Sequence, residues 1–454
     1  MNLFNDPNDL ALKSWVASAN KVGCDFPIQN LPLGVFRRAG FHEAYRGGVA
    51  IGDQILDLSA AVAGGLLSGA AAKACGEPTL NTLMSLGRPA WSDLRAQLSA
   101  VLREGGRQET GAACLVPMAD AEMTVPAKIG DYTDFYSSIN HATNVGKLFR
   151  PDNPLLPNYK YVPIAYHGRS TSIRISGTPT KRPMGQLKAP DAEMPVFAAC
   201  KRLDYETELG VYVGPGTALG TTVPLEKAED YIFGMCILND WSSRDIQTWE
   251  YQPLGPFLAK NFSSTISPWV VTLEALAPYR QEVYSRPDSD PAPLPYLTNK
   301  DHEASGGLNI CLDVAVATEA MRKNGLAPQT IGTPDFKEMY WTIFQMFTHH
   351  TSNGCNFNPG DFYGTGTISG TGQDECGSIL PKKKFDGETQ ARWERLDADA
   401  IVCLQCQGHG TSRTKTEMIF CNGVCQMERP EYHFVQAQLS EWIAKDDRFQ
   451  TALK

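Results

Sequence analysis

The chain holds 454 residues, 42% of them apolar and 20% charged, enough to bury a sizeable core and too long for one ordinary domain. That balance excludes disorder, a collagen-like fibre and a coiled-coil rod. Fifty acidic against 41 basic residues give a net charge of −9, so nucleic acid is not expected as a partner, although a few converging bases could still hold an anionic substrate.

In chain order, the start MNLFNDPNDL lacks the basic and apolar stretches of a signal peptide. Gly48 to Asp57 reads as a hairpin around a Gly-Asp turn. Ala60 to Ala72 is the one candidate membrane stretch, and it is too short to span a core needing ~20 apolar residues. A cytoplasmic protein without membrane partners is expected. Thr79 to Leu102 reads as two short helices split by Gly87-Arg-Pro89, and Val116 to Val125 as a linker. With 40 Gly and 30 Pro the chain reads as turn-rich, more β than helical.

From Ile129 the texture changes. Strands are expected at Tyr161–Tyr166, Thr171–Ile175, Leu209–Val213, Phe233–Leu238 and Trp269–Leu273. Pro287, Pro291, Pro293 and Pro295 mark a surface loop. Asp335-Phe-Lys-Glu338 resembles a capping box for a helix ending at Asn353-Gly354, and Asn358-Pro-Gly-Asp361 a turn before another strand. From Pro430, Val435, Leu439, Trp442 and Ile443 form a helical stripe, read as a docked terminal helix. The domain division expected is 1–120, 121–429 and a helical extension 430–454.

Twelve cysteines are scattered along the chain. Cys403-Leu-Gln-Cys406 with Cys421-Asn-Gly-Val-Cys425 has a spacing that a four-thiolate zinc site could use. Ile401 to Cys406 equally reads as a buried strand, which turns residues 403 and 406 to opposite faces. Reduced core cysteines and no zinc are expected.

Chemistry concentrates in Leu203-Asp-Tyr-Glu206-Thr-Glu208-Leu-Gly. Residues two apart on a strand share a face, so both carboxylates enter one space and repel unless a cation, a base or a proton intervenes. A solvated edge is the alternative for such a pair. Asp240 at the end of an apolar run and Asp134 add two more carboxylates, an all-oxygen set suited to Mg²⁺ or Ca²⁺. Arg244, Gln247 and Lys260 follow closely and could stabilise a developing oxyanion, with surface salt-bridging the alternative for each alone. Gly364-Thr-Gly366-Thr-Ile-Ser-Gly370 lacks dinucleotide spacing, and no P-loop, His-Glu-x-x-His or Gly-x-Ser-x-Gly motif occurs. His349-His350 reads as a pair ending a helix.

These residues resemble the fumarylacetoacetase family, metal-dependent carbon–carbon hydrolases that end tyrosine breakdown. The likeness starts at Asp25-Phe-Pro-Ile-Gln-Asn-Leu-Pro-Leu-Gly-Val-Phe36. It passes through Ile129-Gly-Asp-Tyr-Thr-Asp-Phe-Tyr-Ser-Ser138, Tyr166-His-Gly-Arg169, Asn239-Asp-Trp-Ser-Ser-Arg-Asp-Ile-Gln247 and Trp249-Glu-Tyr-Gln-Pro-Leu-Gly-Pro-Phe-Leu258 to Gly366-Thr-Ile-Ser-Gly370. It implies a mainly β protein with some α: a small N-terminal SH3-like β-barrel and a larger C-terminal mixed β-sandwich or roll, working as a homodimer. Metal carboxylates would be Asp134, Glu206, Glu208 and Asp240, with Asp240, Lys260 and Ser264 serving a second cation. Substrate contacts would be Tyr136, Arg150, Tyr166, Arg244, Gln247, Tyr251 and Thr367, and His141 the base that activates water. A β-diketo acid would chelate the metal, while Arg244, Gln247 and Lys260 hold the oxyanion.

One position departs from the family. The Glu expected to orient the catalytic His is Pro381 in Gly377-Ser-Ile-Leu-Pro381. Loss of an orienting acid can cost ~10⁴ in turnover by analogy with triads, so slow or absent hydrolysis is expected. Three readings follow: a fumarylacetoacetase-type hydrolase, a non-hydrolytic metal-enolate enzyme on the same fold (a decarboxylase, isomerase or condensing enzyme), and a binding protein without catalysis. The retained His and carboxylate set opposes the third.

Overall fold

The structure, a computed structural model, describes residues 6–317, 319–379, 401–408 and 418–420. Five short strands open it: β1 (Leu33–Arg38), β2 (Arg46–Ile51), β3 (Gln54–Asp57), β4 (Leu115–Pro117) and β5 (Ala121–Thr124). They pair antiparallel in the order β4-β3-β2-β1-β5, and the expected hairpin places Ile51 opposite Gln54. One 3-10 turn, Met118–Asp120, joins the two edge strands. In a flat sheet these edges would lie roughly 19 Å apart, beyond the ~14 Å reach of four residues, so the sheet must curl into a small barrel. Val116 to Val125 is therefore not the expected linker. Val116, Met118, Ala121 and Met123 pack on Phe26, Phe36, Ile55 and Trp269, and that burial makes strands of the segment.

The expected helix pair is Asn81–Ser85 and α1 (Arg88–Leu102), separated by Gly87 at φ 79°. Trp91, Leu94, Leu98 and Leu102 bury one face of α1 at helical spacing. Among the described residues no helix is long and apolar enough to cross a membrane.

The larger sheet comprises β6 (Tyr132–Phe135), β7 (Ala165–His167), β8 (Ile173–Ile175), β9 (Thr207–Val213), β10 (Ile232–Asp240), β11 (Ser264–Ile266), β12 (Val271–Thr272) and β13 (Phe362–Gly364). Its order is β7-β6-β13-β9-β10-β11-β8, with β12 also on β10. The strand expected at Tyr161–Tyr166 shortens because Tyr161 and Val162 N–H groups turn back onto Asn158 O. Around the sheet lie α2 (Ile139–Phe149), α3 (Arg244–Glu250) and α4 (Ile343–Thr351). Asp335 caps only the 3-10 turn Phe336–Glu338. The capping box belongs instead to Thr342 and Gln345, which satisfy each other's backbone N–H and start α4 later than expected.

Both faces of the central strands are covered, which suits their unbroken apolar runs. On β9, Leu209, Val211 and Val213 face a core with Leu312, Val314, Phe344 and Phe347, while Tyr212 faces the other way. On that second side Tyr212, Phe233, Leu238 and Phe362 share a core with Val35, Val49, Ile51 and Leu94 of the N-terminal unit. Leu33 and Val270 exchange backbone hydrogen bonds of 2.9 and 2.7 Å, tying the two units together.

A four-stranded sheet orders Gln329–Gly332, Ile310–Ala317, Ile401–Gly408 and Met418–Phe420. The strand reading of Ile401 to Cys406 is met at the backbone. Cys24, Cys75, Cys114, Cys200, Cys236, Cys311 and Cys355 are free thiols. Cys421, Cys425, Pro381 and the tail 430–454 lie outside the described residues.

Candidate functional site

The carboxylates arrive from strands of the one large sheet. Asp134 sits on β6, Glu208 on β9 and Asp240 at the end of β10. Glu206 precedes β9, where its carbonyl accepts from Asp240 N at 3.1 Å and extends the ladder. One oxygen from each of the four lies within 4.8 Å of the others, and all four residues are buried. The solvated-edge alternative therefore fails. Gly364 on β13 stands between β6 and β9, opposite Asp134, and a Cβ there would meet Asp134 Oδ1 at 2.7 Å and Glu208 Oε2 at 2.8 Å. Only glycine leaves that space. Gly366, at φ +77°, turns its N–H onto Glu208 Oε2 at 3.0 Å.

Two buried cations meet the cluster, so surface salt-bridging fails for both. Lys260 Nζ donates to Glu206 Oε2 and, at 2.8 Å, to Asp240 Oδ2. Arg244 opens α3 and donates from Nη2 to Glu206 Oε1 at 2.7 Å and from Nη1 to Gln247 Oε1 at 3.0 Å. Ser264 Oγ donates to Asp240 Oδ1 at 2.7 Å, and Tyr166 OH, on β7, to Asp240 Oδ2 at 3.0 Å. Burial alone would raise the Glu206 carboxyl, but Lys260 and Arg244 outweigh it and hold the pKa at about 2. At Asp134 and Glu208 the pull of Lys260 is too weak to do the same. Burial, then repulsion from neighbouring carboxylates, raises Asp134 to about 7 and pushes Glu208 upward as well.

Asp134 Oδ1 and Glu208 Oε1 are buried without a hydrogen-bond partner. Buried polar atoms are rarely left so, and here the orphans are carboxylate oxygens of one cluster. A hard divalent cation fits this donor set: oxygen only, negatively charged and short of positive partners.

A cavity of about 670 Å³ opens over the cluster. It is lined by Tyr136, His141, Arg150, Tyr166, Arg244, Gln247, Tyr251, Lys260 and Thr367, together with Asp134, Glu206 and Glu208. Of the expected metal and substrate residues, Asp240 and Ser264 do not line it, and Asp240 accepts from both Lys260 and Ser264. His141 is the third residue of α2, and its backbone N–H is capped by Ser138 Oγ at 3.2 Å. Its Nδ1 lies 3.5 Å from Ser369 Oγ. Burial outweighs the pull of Glu206 and lowers its pKa to about 3, so the imidazole is neutral.

Sequence reasoning missed two participants. Asp204, fully buried, accepts from Arg244 Nε at 2.9 Å. It stands two residues before Glu206, so the alternation that selected Glu206 and Glu208 would have selected it too. Ser369 had no such signal, because only the folded turn after Gly366 carries it to His141.

Residues 29–126 match the family described as fumarylacetoacetase N-terminal, and residues 132–415 the family described as fumarylacetoacetate (FAA) hydrolase C-terminal. The chain belongs to the fumarylacetoacetase family. The fumarylacetoacetase of Rattus norvegicus is 47% identical over 403 residues, covering 85% of this chain and 93% of that one. The Homo sapiens fumarylacetoacetase is 46% identical with the same coverage, and that of Oryza sativa subsp. japonica 42% identical over 416 residues, covering 88% and 94%. Identity at this level over most of the chain marks a hydrolase of carbon–carbon bonds, and it does not favour the non-hydrolytic alternative raised by Pro381.

Proposed function

We propose that this cavity hydrolyses fumarylacetoacetate to fumarate and acetoacetate, a step of tyrosine and phenylalanine breakdown. The observation that carries the reading is the four-carboxylate cluster with two orphaned oxygens, roofed by a cavity that also receives His141, Arg244, Gln247 and Lys260. Asp134, Glu206, Glu208 and Asp240 would hold Mg²⁺ or Ca²⁺, with Lys260 and Ser264 around Asp240 serving a second cation. Such an ion supplies Lewis acidity toward a substrate carbonyl.

The remaining work falls to side chains. His141, neutral and with Nδ1 turned to Ser369, presents Nε2 to take a proton from water. Arg244, Gln247 and Lys260 donate to the oxyanion that forms when water adds. Arg150, where α2 ends, suits a substrate carboxylate, and Tyr136, Tyr166, Tyr251 and Thr367 frame the rest of the substrate. Water ends up divided across the broken carbon–carbon bond, its hydroxyl on the fumarate half and a proton on the acetoacetate carbon.

The same proposal includes a cytoplasmic homodimer that uses neither nucleic acid nor membrane. The net charge supports the last point, and exposed Met184, Val196, Phe197, Trp249, Leu254 and Phe257 support a second copy as partner. The test is incubation of the full chain with fumarylacetoacetate and Mg²⁺, with product identification. Fumarate and acetoacetate in equal amounts support the reading, and an isomerised or decarboxylated product would replace it.

A further inference from the structure

We infer that Asp204 is a positioning residue that aims Arg244 and limits it to a single hydrogen bond on Glu206, an inference that rests on the metal and oxyanion roles proposed above. Asp204 and Arg244 lie diagonally across a two-residue ladder, Asp204 being opposite Ser242. Leu203–Asp204 pairs with Ser242–Ser243, and Arg244 N donates to Arg202 O at 2.9 Å. Both backbones are thereby fixed before the side chains meet.

Asp204 Oδ2 accepts from Arg244 Nε at 2.9 Å and lies 2.8 Å from Nη2. Its other oxygen, Oδ1, accepts from Ile379 N at 2.9 Å. The carboxylate is fully buried, so these contacts are not diluted by water. Arg244 carries five N–H donors in a rigid fork. With Nε and one side of Nη2 held by Asp204, the guanidinium plane is set. Nη2 then reaches Glu206 with one hydrogen only, and Nη1 points past Gln247 toward the cavity that Arg244 lines.

Without Asp204 the guanidinium would have one carboxylate in reach, Glu206. Its uncompensated charge would draw that ligand away from the cation site and repel a bound cation. Its Nη1 would lose its aim at the oxyanion. Asp204 thus does two things through one contact: it shares the Arg244 charge, so that Arg244 holds Glu206 through one hydrogen bond only, and it orients a donor for the reaction.

The competing explanation is that Asp204 only anchors the Ile379 backbone. Asp204→Asn separates the two, because the amide Oδ1 still accepts from Ile379 N while the charge is gone. Mn²⁺ binding followed by electron paramagnetic resonance reads the metal arm without any turnover. Asp204→Asn is expected to weaken Mn²⁺ about 10-fold or more. It should also lower kcat/KM on fumarylacetoacetate by ~10- to 100-fold in the wild-type background but less than about twofold in an Arg244→Ala background, since interacting partners are not additive. Unchanged Mn²⁺ affinity, or equal losses in both backgrounds, overturns the inference. Should Asp204→Asn fail to fold, Asp204→Ser with added formate replaces it: Mn²⁺ affinity that rises with formate supports the role, and indifference to formate overturns it. A wild type that binds Mn²⁺ but leaves fumarylacetoacetate intact would refute the substrate reading, and the Mn²⁺ comparison alone would then decide Asp204.

Discussion

Asp134 and Glu208 carry the electrostatic burden of this site. In the metal-free protein their carboxyls have pKa values above the ordinary range, Asp134 at about 7, because burial and neighbouring carboxylates disfavour charge. A carboxyl raised in the folded state contributes stability below its unfolded value near 3.8 and loses it as pH rises through the folded value. Exhaustively chelated protein should therefore lose melting temperature as the pH climbs from 4 toward 7 and beyond, and saturating Mg²⁺ should flatten that slope. Calorimetry across this range checks it, and a chelated protein that gains stability over the same window would contradict it. Glu208→Gln should raise metal-free stability by roughly 1–3 kcal/mol while abolishing cation binding. At His141 the hydroxyl of Ser369 stands 3.5 Å from Nδ1, a weaker acceptor than a carboxylate. Ser369→Ala should lower kcat about tenfold with KM little changed, because the ring loses its orientation and not the substrate. Pro381→Glu should raise kcat. Stopped-flow loss of the diketone absorbance reads both, and a Pro381→Glu enzyme no faster than wild type would remove the argument drawn from that position.

The segment from Gly366 to Ile379 and the start of α2 work as one element. Ser138 Oγ caps His141 N, accepts from Ser369 N at 3.3 Å and lies 3.1 Å from Ser369 O. Ser369 Oγ in turn accepts from Gly377 N at 3.1 Å. Ser138→Ala should cost about 1 kcal/mol from the lost cap and lower kcat further than that stability loss explains. Thermal melts alongside kinetics separate the two. The strands bearing Glu208 and Asp240 were legible in the sequence because long apolar runs on a doubly buried sheet announce themselves, and Glu206/Glu208 because alternation puts them on one face. The start of α4 was misplaced because Asp335 and Thr342 both carry N-cap chemistry, and only tertiary packing chooses Thr342. Val116 to Val125 misled because its residues alternate too briefly to read as strands until the barrel edges close around them.

At the scale of the molecule, the N-terminal barrel and the large sheet share a core that places Val35, Val49 and Ile51 against Tyr212, Phe233 and Phe362. Units joined this way should unfold together, so metal-replete protein is expected to give one calorimetric transition. Two resolved transitions would show that the barrel stands alone. The shared core also holds the far side of the strands that carry Glu208 and Asp240, so cation geometry depends on the whole fold. The central claim is that buried carboxylates make a metal-dependent hydrolase, and turnover of fumarylacetoacetate against free Mg²⁺ after exhaustive chelation tests it most directly. Chelated protein should be inactive, activity should return with Mg²⁺, and Glu206→Gln should stay inactive at every concentration. Full turnover by chelated wild type, or by Glu206→Gln, would contradict the account.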